Sequence, residues 1–152
     1  MELNTLVYSN LVNIENKSTS LIDFFESASR ELVEENFVEE SFFEAILSRE
    51  QIYPTGLVLE NINIAIPHTD VDHIKKPFIY INKMEDDIEF TQMGSDDKKV
   101  IPEYVIILGI KEPKKQVTLL STLIELFNNS NFLDELQNCN NNDDLIKLFK
   151  NN

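Results

Sequence analysis

Apolar positions along the chain change period twice. Leu21, Phe25, Ala28 and Leu32 recur at three- and four-residue spacing, with Glu26, Arg30, Glu31 and Glu34 on other faces. That spacing predicts an amphipathic helix over 20–36. Phe42 with Ile46 and Phe43 with Leu47 form two i, i+4 pairs, which predict a second helix over 39–50. The breaker Pro54-Thr55-Gly56 follows. Beyond it the pattern is that of strands, expected at Leu57–Leu59, Ile62–Ile66, Phe78–Asn82, Ile88–Phe90 and Tyr104–Ile110, with Pro, Asp and Gly clusters between them. The last of these is apolar throughout, as a central strand covered on both faces requires. Val117, Leu120, Leu123, Ile124 and Phe127 restore helical spacing. Two shorter helices are expected over 131–137 and 143–150, after Asn and Ser residues that suit N-caps. The polar segments 92–99 and 111–116 and the Asn-rich stretch 138–142 read as exposed loops. Helices, then strands, then helices: this order predicts a single α/β (α+β) domain over 1–152, a mixed sheet of five or so strands sandwiched between helical layers.

Composition narrows the chemistry. A chain of 152 residues can bury a core without a disulfide or metal staple. Thirteen basic residues stand against 27 acidic ones, a formal balance of −14, so nucleic acid and anionic lipid are poor partners. An acidic surface suits a basic protein partner, and it serves solubility equally well. The single cysteine, Cys139, cannot form an internal disulfide, and the sequence has no basic leader with an apolar core. The longest apolar run falls far short of the ~20 residues that span a bilayer. A cytoplasmic protein without direct membrane insertion is the expectation. The three glycines, Gly56, Gly94 and Gly109, are scattered, so the usual backbone cradles for nucleotide phosphates are missing and no cofactor is expected.

The candidate chemistry lies in Ile64-Ala65-Ile66-Pro67-His68. It reads as a buried strand that stops at a proline unable to donate to a ladder and presents an imidazole at its end. Arg49 and Pro54-Thr55-Gly56 precede it within twenty residues, close enough to fold back toward the histidine. Read as chemistry, His68 is a neutral imidazole nucleophile and Arg49 a planar cation suited to the negative charge of a phosphoryl transition state. Thr55, Gly56 and Thr69 would add hydroxyl or backbone donors. The plainer reading is a strand-end histidine and a solvated helix-end arginine favoured by the helix dipole.

Ser48-Arg49-Glu50, Pro54-Thr55-Gly56, Asn63-Ile64-Ala65-Ile66-Pro67-His68 and the loop Glu112-Pro113-Lys114-Lys115-Gln116 together resemble the enzyme IIA proteins of the bacterial phosphotransferase (PTS) sugar-uptake system, in the fructose–mannitol superfamily, and galactitol-type members most. The resemblance covers nearly the whole chain. It implies that His68 takes a phosphoryl group on Nε2 from the carrier HPr and passes it to a cysteine of a IIB component. Sugar, galactitol or a related polyol, would then be phosphorylated during transport through a membrane IIC component. Arg49 matches the family's active-site arginine, and Nδ1 of His68 would be satisfied by nearby backbone. An apolar rim around His68 would fit docking of the two protein partners. Where mannitol-type members carry a second histidine this chain has Lys114, which either supplies a cation or faces water. His73 is similar to galactitol-type sequences and either lines the site or sits on the surface.

Two other readings stay open. A regulatory protein of the same system would signal through the phosphorylation state of His68. A metal-dependent hydrolase would use His68, Asp70, Asp72 and His73, ligand types that suit zinc or iron.

Overall fold

The computed structural model describes residues 3–152. In chain order the elements are β1 (Val7–Asn16), α1 (Leu21–Glu34), α2 (Phe42–Ile52), β2 (Gly56–Val58), β3 (Asn63–Ala65), β4 (Phe78–Met84), β5 (Phe90–Thr91), β6 (Lys99–Val100), β7 (Tyr104–Gly109), α3 (Pro113–Phe127), α4 (Ser130–Gln137) and α5 (Asn142–Lys150). Five strands form one mixed sheet in the order β1-β4-β7-β3-β2. β1 runs parallel to β4 and β3 parallel to β7, whereas β4–β7 and β3–β2 are antiparallel.

Alternation along the strands sends side chains to two cores. Ile64, Ile66, Ile79, Ile81, Tyr104, Ile106 and Leu108 meet Leu119, Leu123 and Phe127 of α3, Phe132 and Leu136 of α4, and Leu145 and Phe149 of α5. The intervening residues Ala65, Phe78, Tyr80, Val105 and Ile107 meet Phe24, Phe25, Ala28 and Leu32 of α1 and Phe42 and Ile46 of α2. Every residue of β7 is buried, as its unbroken apolar run requires. Each fully buried Leu, Ile or Phe contributes about 1.5–3 kcal/mol, so the two layers of helix hold the sheet from both sides. α1, α4 and α5 start at side-chain caps, Ser20, Asn129 and Asn141. The Ser20 hydroxyl accepts from the Asp23 N–H at 3.0 Å, and the Asp23 carboxylate accepts from the Thr19 N–H at 3.1 Å.

The structure departs from the periodicity in four places. A strand, β1, precedes the first helix, so the order is not helices first. Its Leu11 and Val12 are buried in opposite cores and its register shifts twice along β4, which erases the two-residue period. Residues 92–99 are largely the exposed connection expected, but they join β5 to β6, which pair in a small separate sheet, and of the strand expected at Ile88–Phe90 only Phe90 belongs to it. The polar segment 111–116 is largely exposed but is helical from Pro113, at a position where a missing N–H costs nothing. Finally, α3 faces the core through Leu119, Leu123 and Phe127, and Val117 is 65% exposed.

Candidate functional site

The chain leaves β3 without leaving the sheet. The Ile66 N–H donates to the Thr55 carbonyl at 3.3 Å, and the Pro67 carbonyl accepts from the Leu108 N–H of β7 at 3.0 Å. Proline has no N–H to give on its other side, so pairing with β2 ends there, while His68 still bridges Leu108 of β7 at the rim of the sheet. The ring is partly buried, with Nδ1 2.9 Å from the Ile66 carbonyl oxygen. A carbonyl can only accept, so Nδ1 carries the proton and Nε2 keeps its lone pair. Burial pushes the imidazole below its usual 6.5; the Arg49 charge acts in the same direction, against the Ile66 bond and Asp70. His68 is therefore a neutral base with one fixed tautomer at pH 7.

Arg49 comes from the last turn of α2 and is held beside that ring. Its Nη1 lies 3.4 Å from Asp70 Oδ1, two residues after His68, and its guanidinium sits 5.1 Å from the centre of the Tyr53 ring. The guanidinium side chain keeps 35% of its exposure, so one side remains open to an incoming anion. Ile52 and Tyr53 next to it are 68% and 62% exposed. With Pro54 and Met93 they border a shallow depression of about 690 Å³.

Other candidates are spent elsewhere. Thr55 is buried, and both its N–H and its hydroxyl donate to the Glu50 carboxylate at 2.8 Å, so its hydroxyl does not face the site. Gly56 sits where β2 touches β5, and a Cβ there would lie 2.7 Å from the Thr91 carbonyl oxygen. Thr69, the residue after His68, is buried. The Nδ1 of His73 pairs with the Ser41 hydroxyl at 2.7 Å. Lys114 is exposed in the first turn of α3, lining with Lys111, Lys115, Pro77 and Tyr8 a depression of about 530 Å³ that does not include His68. Asp70 is paired with Arg49 and His73 with Ser41. Among the described residues no group of three or more His, Cys, Asp or Glu is arranged to hold a metal ion, so the hydrolase reading has no ligand set.

The sequence reading missed Glu50 and Tyr53 as parts of this site, while the nearby backbone expected at Nδ1 of His68 is the Ile66 carbonyl. Glu50 leaves a signal: an acid in the last turn of a helix opposes the dipole and must be held by something else. Its burial pushes the carboxyl up to about 7, against two hydrogen bonds from Thr55 that pull it down.

The family model described as "Phosphoenolpyruvate-dependent sugar phosphotransferase system, EIIA 2" matches residues 5–152. The chain belongs to this EIIA family. Similar proteins include the galactitol-specific EIIA components of Escherichia coli strains K12 and O157:H7, each 34% identical over 93 residues. That match takes in 61% of this chain and 61% of the length of each relative. The EIIA fold is shared with the crystal structure of IIA mannitol from Escherichia coli, at a TM-score of 0.73 and 20% identity, over 93% of this chain and 97% of that one. It is shared too with the nitrogen regulatory protein IIA-Ntr of Neisseria meningitidis, at a TM-score of 0.73 and 18% identity, over 97% and 98% of the two chains. A third structure, the Escherichia coli complex of enzyme IIA-Mtl with phosphorylated enzyme IIB-Mtl, matches with a TM-score of 0.74 and 20% identity, over 97% of this chain and 100% of that one. The five-stranded mixed sheet between helical layers is thus the fold of EIIA proteins. Among the described residues no helix is long and apolar enough to cross a membrane.

Proposed function

We propose that this EIIA chain, acting as one unit over residues 1–152 in the cytoplasm, is a phosphocarrier whose His68 passes a phosphoryl group between two proteins. The observation that carries the reading is the Nδ1–H bond to the Ile66 carbonyl, which leaves Nε2 as a free nucleophile. In the first step the Nε2 lone pair attacks the phosphorus of phosphohistidine on HPr. A bond to Nε2 forms as the donor's P–N bond breaks, and its electron pair returns to the donor ring. Nδ1 keeps its proton, and the Ile66 carbonyl stabilises the positive charge the ring gains. Arg49 meets the charge spread over the equatorial oxygens, and its loose pairing with exposed Asp70 lets it turn toward them. In the second step a thiolate of a IIB component attacks phosphorus, and the P–N electron pair returns to Nε2.

Two successive protein partners need an open, partly apolar approach, and the exposed Ile52 and Tyr53 beside Arg49 supply one. A membrane IIC component downstream and a galactitol-like polyol as the sugar follow from the likeness to the galactitol-specific relatives. The test is incubation with phospho-HPr followed by peptide mapping. An acid-labile phosphate on the His68 peptide is expected, with none taken up by His68→Ala. Full labelling of the folded His68→Ala protein overturns the assignment. Transfer onward to a IIB cysteine marks the transport role; labelling without onward transfer overturns that role and leaves signalling by phosphorylation state.

A further inference from the structure

Arg49 and His68 stand on different elements, and a run of four hydrogen bonds through Glu50 joins them. Glu50 is the residue after Arg49, in the last turn of α2. One carboxylate oxygen accepts the Thr55 N–H and the other the Thr55 hydroxyl, both at 2.8 Å. The Thr55 carbonyl then accepts the Ile66 N–H at 3.3 Å, and the Ile66 carbonyl accepts the His68 Nδ1–H at 2.9 Å. Glu50 is only 5% exposed. A buried carboxylate at the negative end of a helix is a costly way to hold a turn, because both desolvation and the dipole oppose its charge.

We infer that Glu50 is a positioning residue for phosphoryl transfer: by clamping the Thr55 turn to the helix that bears Arg49, it fixes the Ile66 carbonyl and hence the His68 ring at a set offset from the guanidinium. Glu50 touches neither the ring nor the phosphoryl group and acts only through Thr55 and Ile66. The inference rests on the reading of His68 as the phosphoryl acceptor. Two acceptors on one rigid carboxylate fix both the height and the rotation of the Thr55 turn. One acceptor would leave it free to pivot. Pivoting moves the Ile66 carbonyl, and Nδ1 loses the partner that keeps its proton in place.

The test uses Glu50→Ala, Glu50→Gln and Thr55→Val with two readouts. The first is the 15N spectrum of the unphosphorylated His68 ring, which reports its tautomer and needs no phosphoryl donor. The second is transfer from phospho-HPr, with kcat and KM measured separately. Glu50→Ala is expected to lower kcat about tenfold or more with KM within about twofold, because misplacement acts on the reacting geometry rather than on docking. His68 should move from a single Nδ1–H tautomer to a mixture. Thr55→Val should change both readouts in the same direction but less, and Glu50→Gln, which still offers an acceptor to the Thr55 N–H, should recover most of the rate. Folded Glu50→Ala protein with an unchanged tautomer and unchanged kcat overturns the inference, as does a loss confined to KM. If Glu50→Ala does not fold, Thr55→Val decides: an unchanged His68 tautomer and kcat overturns the inference. If the wild-type protein accepts no phosphoryl group, it is the functional reading that fails. The tautomer readout then still decides whether Glu50 holds the ring.

Discussion

Replacing Glu50 by Gln should change how stability depends on pH. The Glu50 carboxyl is pushed from its ordinary 4.5 up to about 7 in the folded protein, first of all by burial. Below the ordinary value both folded and unfolded states hold the proton, and the group has no effect on stability. As pH rises toward 7, the unfolded chain ionises Glu50 freely while the folded chain resists, so stability falls. Above 7 both states are ionised and the loss is complete. At about 1.36 kcal/mol per pH unit, the gap amounts to about 3 kcal/mol. Glutamine cannot ionise and has nearly the same shape, so the variant lacks this slope while the rest of the molecule titrates unchanged. The sequence isoelectric point of about 4.4 makes solutions near that pH prone to precipitate, so urea unfolding is best run from pH ~5.5 to ~8. Over that window the stability of Glu50→Gln relative to wild type should grow by about 2 kcal/mol, nearly all of it below about pH 7. A difference that stays constant with pH would mean that Glu50 is not held away from water as the geometry has it.

Arg49→Ala should slow transfer from phospho-HPr by about 100-fold while partner affinity changes little, because its charge is required mainly in the transition state; an unchanged rate would make Arg49 a surface residue stacked on Tyr53. Burial lowers the His68 imidazole below its usual 6.5, so the phosphorylation rate should fall to half its plateau only at a pH below ~6.5. A rate that halves near pH 6.5 or above, and still does so in Glu50→Gln, would contradict that direction. Gly56→Ala places a Cβ 2.7 Å from the Thr91 carbonyl and 3.1 Å from Val100 Cβ, and backbone cannot yield as a side chain can. It should cost about 1–3 kcal/mol in urea unfolding, and a neutral result would show that β5 moves away freely.

Where burial sets a segment's spacing, its pattern revealed the element: α1 buries one face and shows an i, i+4 stripe, and β7 buries both and shows an unbroken apolar run. β1 escaped because two register shifts break its alternation and because Leu11 and Val12 feed different cores, so neither period survives. β6 escaped, and β5 was expected two residues too early, because two-residue strands are too short to carry any period. At the site, His68 and Arg49 were legible from the Ile-Ala-Ile-Pro-His and Arg-Glu pieces and from the family resemblance those pieces carry. Their mutual arrangement was not legible. The pairing of Arg49 with Asp70, and the use of Thr55 to bind Glu50 rather than the site, depend on how α2 lies against β2 and β3. Likewise His73 has ligand chemistry in the sequence, yet in the fold it is turned to Ser41, which lies 32 residues away along the chain.

The most direct test is an NMR spectrum of the 15N-histidine-labelled protein after phosphorylation by phospho-HPr, read for 15N–31P coupling. Coupling to Nε2 of His68, with Nδ1 still bearing the proton it donates to Ile66, is the predicted result. Phosphorus on Nδ1, or on any residue other than His68, would contradict the account.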